Sequence, residues 1–485
     1  MLVLTAPKAG IHTLPSEILR EIFTLCTETT ICPGLIITNS SQLLPAPFLL
    51  ASICCLWRKL ILNTPAFWRN LAIVIDAYRL HQLSGRREAM FIAIRTWLYR
   101  SHPAPILLTI STSRYADILS DAQACQYVLN FLEDLYNLLA MDCRRWKEVS
   151  LFLPQTAASY FMTLLDEKRY YLSRLTGLLL HKTPQDNQHE LAFGHTAFII
   201  PSLQHLSLVG YRLFQHIGAS IFRGHGPANL VELTIDETDV QDPPQHWKLT
   251  LDHALLLLSH YRNTLERCHI GKIQPQDSSI INTPTMIYEF PRLRSLTVDF
   301  WTGACDREIN SIPWFILIES FFERITASSR LQHLTVRRYT LPWSALNRAG
   351  VRTSTLWDSA APTAPFLPFI ERSHPNLLSL SLTAVPVTET SLIDVLRLCS
   401  DLVELEVGTY HTMFQSRSRG SGADIDWDTP LVVCGVLDSL TPRPGLGPTS
   451  TESPVLCPRL KKLELGQKHA ELDSPVSRYS ESNTR

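Results

Sequence analysis

The chain has 485 residues, 45% of them hydrophobic and 18% charged, so it has ample material for a buried core and does not read as disordered. Its 44 basic and 45 acidic side chains leave a net charge of −1, a balance that favours neither nucleic acid nor an anionic membrane surface as a partner. That length exceeds one ordinary core unless the chain is a repeat array, which grows unit by unit.

The opening, Met1 to Pro7, has no basic region, and its apolar run is too short for a secretory signal. No window reaches the roughly 18 continuous apolar residues of a membrane helix, and even the run from Trp314 to Ile318 stops at Glu319. The 11 cysteines form no CxxC pair, and Cys54 and Cys55 are adjacent within a helical pattern. Buried free thiols in a reducing compartment are therefore expected, rather than a disulfide framework. The expectation is a soluble intracellular protein, cytoplasmic, nuclear or both.

The first helix is predicted to start at Pro15. Pro15 suits the first turn, where a missing N–H costs nothing, and Glu17 sits near the positive end of the helix dipole. Ile18, Leu19, Ile22, Phe23 and Cys26 then recur as one apolar stripe. Thr29 to Pro47, with three prolines, reads as a loop. Leu49, Ile53, Leu56, Trp57 and Leu60 share the face of a second helix that Asn63-Thr64-Pro65 ends. Phe67 and Trp68 form an aromatic plug. The reading is a three-helix bundle over residues 11–70 with a core of Phe23, Ile53, Trp57, Leu60 and Trp68.

The residue order adds to the periodicity. Leu-Pro-x-Glu-Ile-Leu-x-x-Ile-Phe, then Ile-Cys-x-x-Trp-Arg, then Thr-Pro-x-x-Trp resembles the F-box, in the form abundant in fungi, over about 60 residues. Weaker likeness continues through Thr96 to Ser101, Pro105 to Leu108 and Arg145-Trp146. The resemblance implies that Leu14, Pro15, Ile18, Leu19 and Ile22 contact the SKP-type adaptor of a cullin–RING ubiquitin ligase. It also implies that Trp57 is the core tryptophan. Two features depart from the family pattern: Cys55-Leu56 replaces a basic or polar pair, and the first loop is long.

Residues 71–143 read as a helical linker with one strand. Arg86 to Ser101 and Asp121 to Asp142 are its helices, the second with Val128, Leu132, Leu135, Leu138 and Leu139 on one face, and Pro105 to Ile110 is its strand. From residue 144 a signature recurs, apolar-x-x-apolar-x-apolar, first as Trp146/Val149/Leu151. It returns at Leu175, Leu203, Leu230, Leu265, Leu293, Leu331, Leu377, Leu402 and Leu460, at intervals of 29, 28, 27, 35, 28, 38, 46, 25 and 58 residues. Six of the nine intervals lie between 25 and 35, which makes chance recurrence a poor account of the series. The period resembles that of leucine-rich repeats, each unit giving one strand and a return segment, such as Ile312 to Ile325 or Glu389 to Cys399. Residues 144–468 are thus expected to form a repeat solenoid with a parallel sheet. Loops are inserted near 343–365, 416–430 and 438–454, and a disordered tail is expected over 471–485.

Catalytic and metal-binding motifs fare poorly. The sequence has no GxSxG elbow, no phosphate loop and no HExxH. His181, His189 and His195 lack a cysteine or acid at ligand spacing, and Asp424, Asp426 and Asp428 lack the glycine and terminal Glu of a calcium loop. Trp247, Trp314, Trp343 and Trp357 are weighed as binding anchors, with core or loop packing the plainer reading.

The expected fold class is therefore α+β and multi-domain, an F-box bundle followed by an irregular α/β solenoid. The expected function is a non-catalytic substrate receptor, with no cofactor, metal, nucleic-acid or membrane partner. The bundle would bind the adaptor and the repeats an unknown target protein. The alternative is a repeat scaffold unconnected to ubiquitin ligation.

Overall fold

The computed structural model describes residues 11, 14–29, 35–36, 46–82, 85, 87–118, 120–154, 156–158, 160–161, 163, 172–182, 200, 202–210, 229–236, 249–274, 286–302, 314–340, 364–385, 387–411, 440 and 456–469. The chain divides into two compact units, Met1–Leu230 and Val231–Arg485.

In the first unit, helix α1 (Ser16–Thr29) leads to a short strand β1 (Leu35–Ile36), followed by α2 (Ala46–Ile53) and α3 (Cys55–Leu62). A 3₁₀ turn, Pro65–Trp68, passes into β2 (Asn70–Asp76), α4 (Ala77–Gln82), α5 (Arg87–Ser101), β3 (Ile106–Ser113) and α6 (Ala122–Ala140). The strands β4 (Trp146–Leu153), β5 (Gly177–Lys182) and β6 (His205–Val209) complete it. The strands lie side by side in chain order, and their pairings are parallel. Strands β2 and β3 bury alternate residues, as the two-residue pleat requires: Leu71, Ile73 and Ile75 on β2, then Ile106, Leu108 and Ile110 on β3. Asp121 caps α6 by accepting the backbone N–H of Gln123 and Ala124 at 2.9 and 3.0 Å.

This arrangement corrects the expected fold class. The described residues form an α/β fold built on parallel strands, not an α+β protein headed by a separate three-helix bundle. Strand β1 lies inside the expected first loop and pairs with β2, so the N-terminal segment contributes to the sheet. Its aromatic interior is also completed from outside residues 11–70. Trp97 on α5 packs edge-on against Trp68 with centroids 5.1 Å apart, and its Nε1–H donates to the Trp68 carbonyl at 2.6 Å. The expected linker, 71–143, is likewise part of the sheet and supplies two strands, β2 and β3, rather than one. The alternation of Leu71, Ile73 and Ile75 within the seven-residue strand carried that signal.

The second unit begins with β7 (Glu232–Asp236), α7 (Leu251–Tyr261), β8 (Arg267–Ile273), β9 (Tyr288–Phe290) and β10 (Ser295–Thr302). It continues through α8 (Trp314–Glu323), β11 (Ile325–Ala327), β12 (His333–Thr340), α9 (Leu367–Ser373) and β13 (Ser379–Thr383). Helix α10 (Glu389–Leu398) and strands β14 (Glu404–His411) and β15 (Lys462–His469) end it. The main sheet runs β7-β8-β10-β12-β13-β14-β15 with parallel pairings, while β9 and β11 pair separately. The recurrent apolar positions are in register: Leu296 opposes Leu334, which opposes Leu380, then Leu405, then Leu463. The leucine opening each signature, Leu265, Leu293, Leu331, Leu377 or Leu402, is buried in the turn before its strand. Residues between the apolar positions, such as Ser295 and Thr297, lie on the other face and are less buried.

Most of the inserted loops expected at 343–365, 416–430 and 438–454, and the tail at 471–485, lie outside the described residues, as do His189, His195, Asp424, Asp426, Asp428, Trp247, Trp343 and Trp357. His181 is buried on β5 with its ring 5.5 Å from that of Phe152. No described helix is long and apolar enough to cross a membrane.

Candidate docking surface on the N-terminal helices

Helix α1 carries two apolar rows rather than one. Leu19, Phe23 and Thr27, spaced by four, are buried. Ile18, Ile22 and Leu25, at i, i+4 and i+7, form the adjoining row. Ile18 is 42% exposed and Leu25 61%, with Ile22 between them partly covered. Leu14, just before the helix, is 36% exposed and Pro15 is also exposed. Of the five residues assigned to adaptor contact, Leu14, Pro15 and Ile18 therefore face outward and Ile22 is half-covered. Leu19 is a correction: it belongs to the interior.

The second helical segment is two helices. The backbone at Cys54 is extended, φ −154° and ψ 170°, and its Sγ accepts the Trp57 N–H at 3.5 Å as the cap of α3. The break resets the helical phase. A continuous helix would have buried Leu49, Ile53, Leu56, Trp57 and Leu60 together; instead Leu50, Ala51, Trp57 and Ile61 point inward. Ile53, assigned to the core, is corrected: it is 51% exposed, and Leu49 and Leu56 are exposed with it. Leu60 is partly covered. Cys54 and Cys55 are not buried either, the first partly covered and the second exposed, whereas Cys143, Cys268, Cys399 and Cys457 are buried free thiols.

Phe23, Trp57 and Trp68 take up the expected core positions. The Phe23 ring lies 4.7 Å from Trp57 and 6.0 Å from Phe67. Phe48 bridges Trp68 at 5.2 Å and Trp97 at 5.8 Å, and the Arg100 guanidinium stacks on Trp68 at 4.7 Å. Trp68 Nε1–H donates to the Ile61 carbonyl at 2.8 Å, and Arg58 Nε–H to the Ala51 carbonyl at 2.9 Å. These contacts hold the helices in place, so the outward apolar rows sit on a fixed frame. At the start of α1 the Glu17 carboxyl is held below its ordinary range, first by its own backbone amide and then by the Ser16 hydroxyl.

The expected apolar faces do not show Leu25, Leu49 and Leu56 as surface residues, Trp97 as core, or the half-buried Phe48 as the ring that bridges Trp68 and Trp97. For Leu25 a signal existed, since it lies seven residues beyond Ile18. For Phe48 and Trp97 none did, because their contacts join segments distant along the chain. Of the 18 large hydrophobic side chains exposed among the described residues, eight lie between Ile11 and Leu62. Such a concentration in one short stretch makes these helices the candidate docking surface among the described residues.

No protein-family model matches the chain, and no curated protein sequence matches it significantly.

Proposed function

We propose that the chain is a non-catalytic substrate receptor of a ubiquitin ligase, its N-terminal helices docking to an SKP-type adaptor and its second unit holding a target protein. The observation that carries this reading is the set of exposed apolar side chains at the start of the chain, Leu14 just before α1, Ile18 and Leu25 on it, and Leu49, Ile53 and Leu56 on the next two helices. These residues overlap the motif through which the sequence resembles the F-box. An aromatic frame beneath them holds their backbone, which lowers the ordering cost of binding. In the second unit a parallel sheet offers a face of Ser, Thr, His and charged side chains, suited to recognition of a polypeptide. Holding adaptor and target on one chain raises the effective concentration of the ligase at its substrate, so chemistry resides in the associated enzymes.

A pull-down with purified adaptor tests the reading. The wild-type chain retains the adaptor, and a variant with Leu14, Pro15 and Ile18 replaced by aspartate does not, while both melt at the same temperature. No retention by wild type, or equal retention by the two, removes the ligase connection and leaves an interaction scaffold.

A further inference from the structure

At the N-terminal ends of the strands in the second unit, one turn recurs with a buried leucine at its centre. Arg292 and Arg294 flank Leu293 and are exposed; Arg330 and Gln332 flank Leu331, with His333 next, and are exposed too. Strands β10 and β12 are direct neighbours, in register from Ser295 opposite His333. Arg292 and Arg330 therefore hold equivalent positions on adjacent turns, whose backbones run about one strand spacing, ~4.8 Å, apart. Ser328 ties the two turns together: its hydroxyl donates to the Pro291 carbonyl at 2.9 Å and accepts the Arg330 N–H at 3.2 Å. The Arg294 carbonyl accepts the N–H of Gln332 and of His333 at 2.8 and 3.0 Å.

The neighbouring arginines have counter-charges: Arg267 meets Glu232 at 2.7 Å, Arg294 meets Glu266 at 3.5 Å, and Arg459 meets Asp401 at 3.2 Å. Among the described residues, the guanidiniums of Arg292 and Arg330 have none. Two like charges side by side on paired strands are unfavourable, and a bridging anion relieves them. In a chain of net charge −1 this is a local concentration, not general basicity.

We propose that this edge binds an acidic segment of the target polypeptide, with aspartate or glutamate carboxylates received by Arg292 and Arg330. The planar guanidinium fork matches a carboxylate with two parallel hydrogen bonds, and two forks side by side match carboxylates along an extended chain. A nucleic acid fits less well. Sequence-independent binders neutralise a track of roughly six to ten phosphates. Here Glu266 on one side and Asp401 and Glu404 on the other interrupt the positive strip. The inference rests on the reading that the second unit holds the target, yet its test needs no adaptor.

Fluorescence anisotropy of the full chain with a labelled peptide of alternating glutamate and serine measures the binding directly. A lysine-serine peptide and a single-stranded oligonucleotide serve as comparisons. The glutamate peptide binds more tightly than either, by about tenfold or more, and raising the salt weakens it. The double variants Arg292→Glu/Arg330→Glu and Arg292→Gln/Arg330→Gln each lose that preference while keeping the wild-type melting temperature, and Arg459→Gln retains it. Equal binding of the two peptides, tighter binding of the oligonucleotide, or double variants that bind like wild type would overturn the proposal. Adaptor retention unchanged in these variants separates a failure here from a failure of the ligase reading.

Discussion

Tryptophans 57 and 68 illustrate how two buried aromatic side chains differ in what they hold. Trp68 Nε1–H satisfies the Ile61 carbonyl, whereas Trp57 Nε1 is buried without an acceptor among the described residues. Replacing each by phenylalanine should therefore separate them. Trp68→Phe removes a buried hydrogen bond that Trp57→Phe does not, although the Ile61 carbonyl keeps the Thr64 N–H at 3.4 Å, and it costs about 1 kcal/mol more than Trp57→Phe, readable in urea unfolding. Gly271 is a second informative position. A Cβ there would lie 2.8 Å from Asp236 Oδ1 and 3.1 Å from the Asp236 Cα, so backbone must shift. Gly271→Ala should destabilise the chain by about 1–3 kcal/mol. His269 pairs with the buried Asp299 at 3.1 Å. Burial, the largest influence, pulls its pKa down, but the Asp299 hydrogen bond and the charges of Asp299 and Asp236 together outweigh burial and Arg337, leaving it raised. A raised folded pKa means a stabilisation fully present below the unfolded value, about 6.5, and lost as pH climbs through the folded one. Wild type should lose more stability than His269→Gln between about pH 6 and pH 8, measured as the urea midpoint at each pH. Buried thiols show the opposite use of burial: it pushes Cys399 to about 12 and Cys457 to about 11, so both stay protonated and inert.

Helix α1 carries a buried row and an exposed row, and substitutions on the two rows should separate cleanly. Phe23→Ala removes a buried ring and costs about 3–5 kcal/mol, whereas Ile18→Asp shifts stability by no more than about 0.5 kcal/mol. Thermal melting of the two variants checks both. The start of this helix was legible because Pro15 and Glu17 are local signals. The break at Cys54 was not, since a continuous periodicity from Leu49 to Leu60 gives no hint of an extended residue. That single φ/ψ choice turned Ile53 from expected core into surface.

Across the whole chain, the strand positions of the signature were the most legible feature. Each of the ten signatures, from Trp146 to Leu460, opens or immediately precedes a strand, and those from Leu265 onward align in register. Local repetition of buried positions dictates this, and local repetition is what a sequence displays. The joining of β1, β2 and β3 in one sheet depends instead on pairing between segments, as of Leu35 with Ile73 and of Asn70 with Leu107. It was therefore hidden behind the pattern of a free-standing helical bundle. Of the residues expected to contact an adaptor, Leu14, Pro15 and Ile18 are exposed and Leu19 lies inside, and the exposed Leu25 was overlooked. The central claim is that this outer row is a docking face, and the affinity of purified adaptor for wild type against Ile18→Asp/Leu25→Asp tests it most directly. Wild type should bind and the folded variant should bind at least about tenfold more weakly; equal affinities, or no binding by wild type, would contradict it.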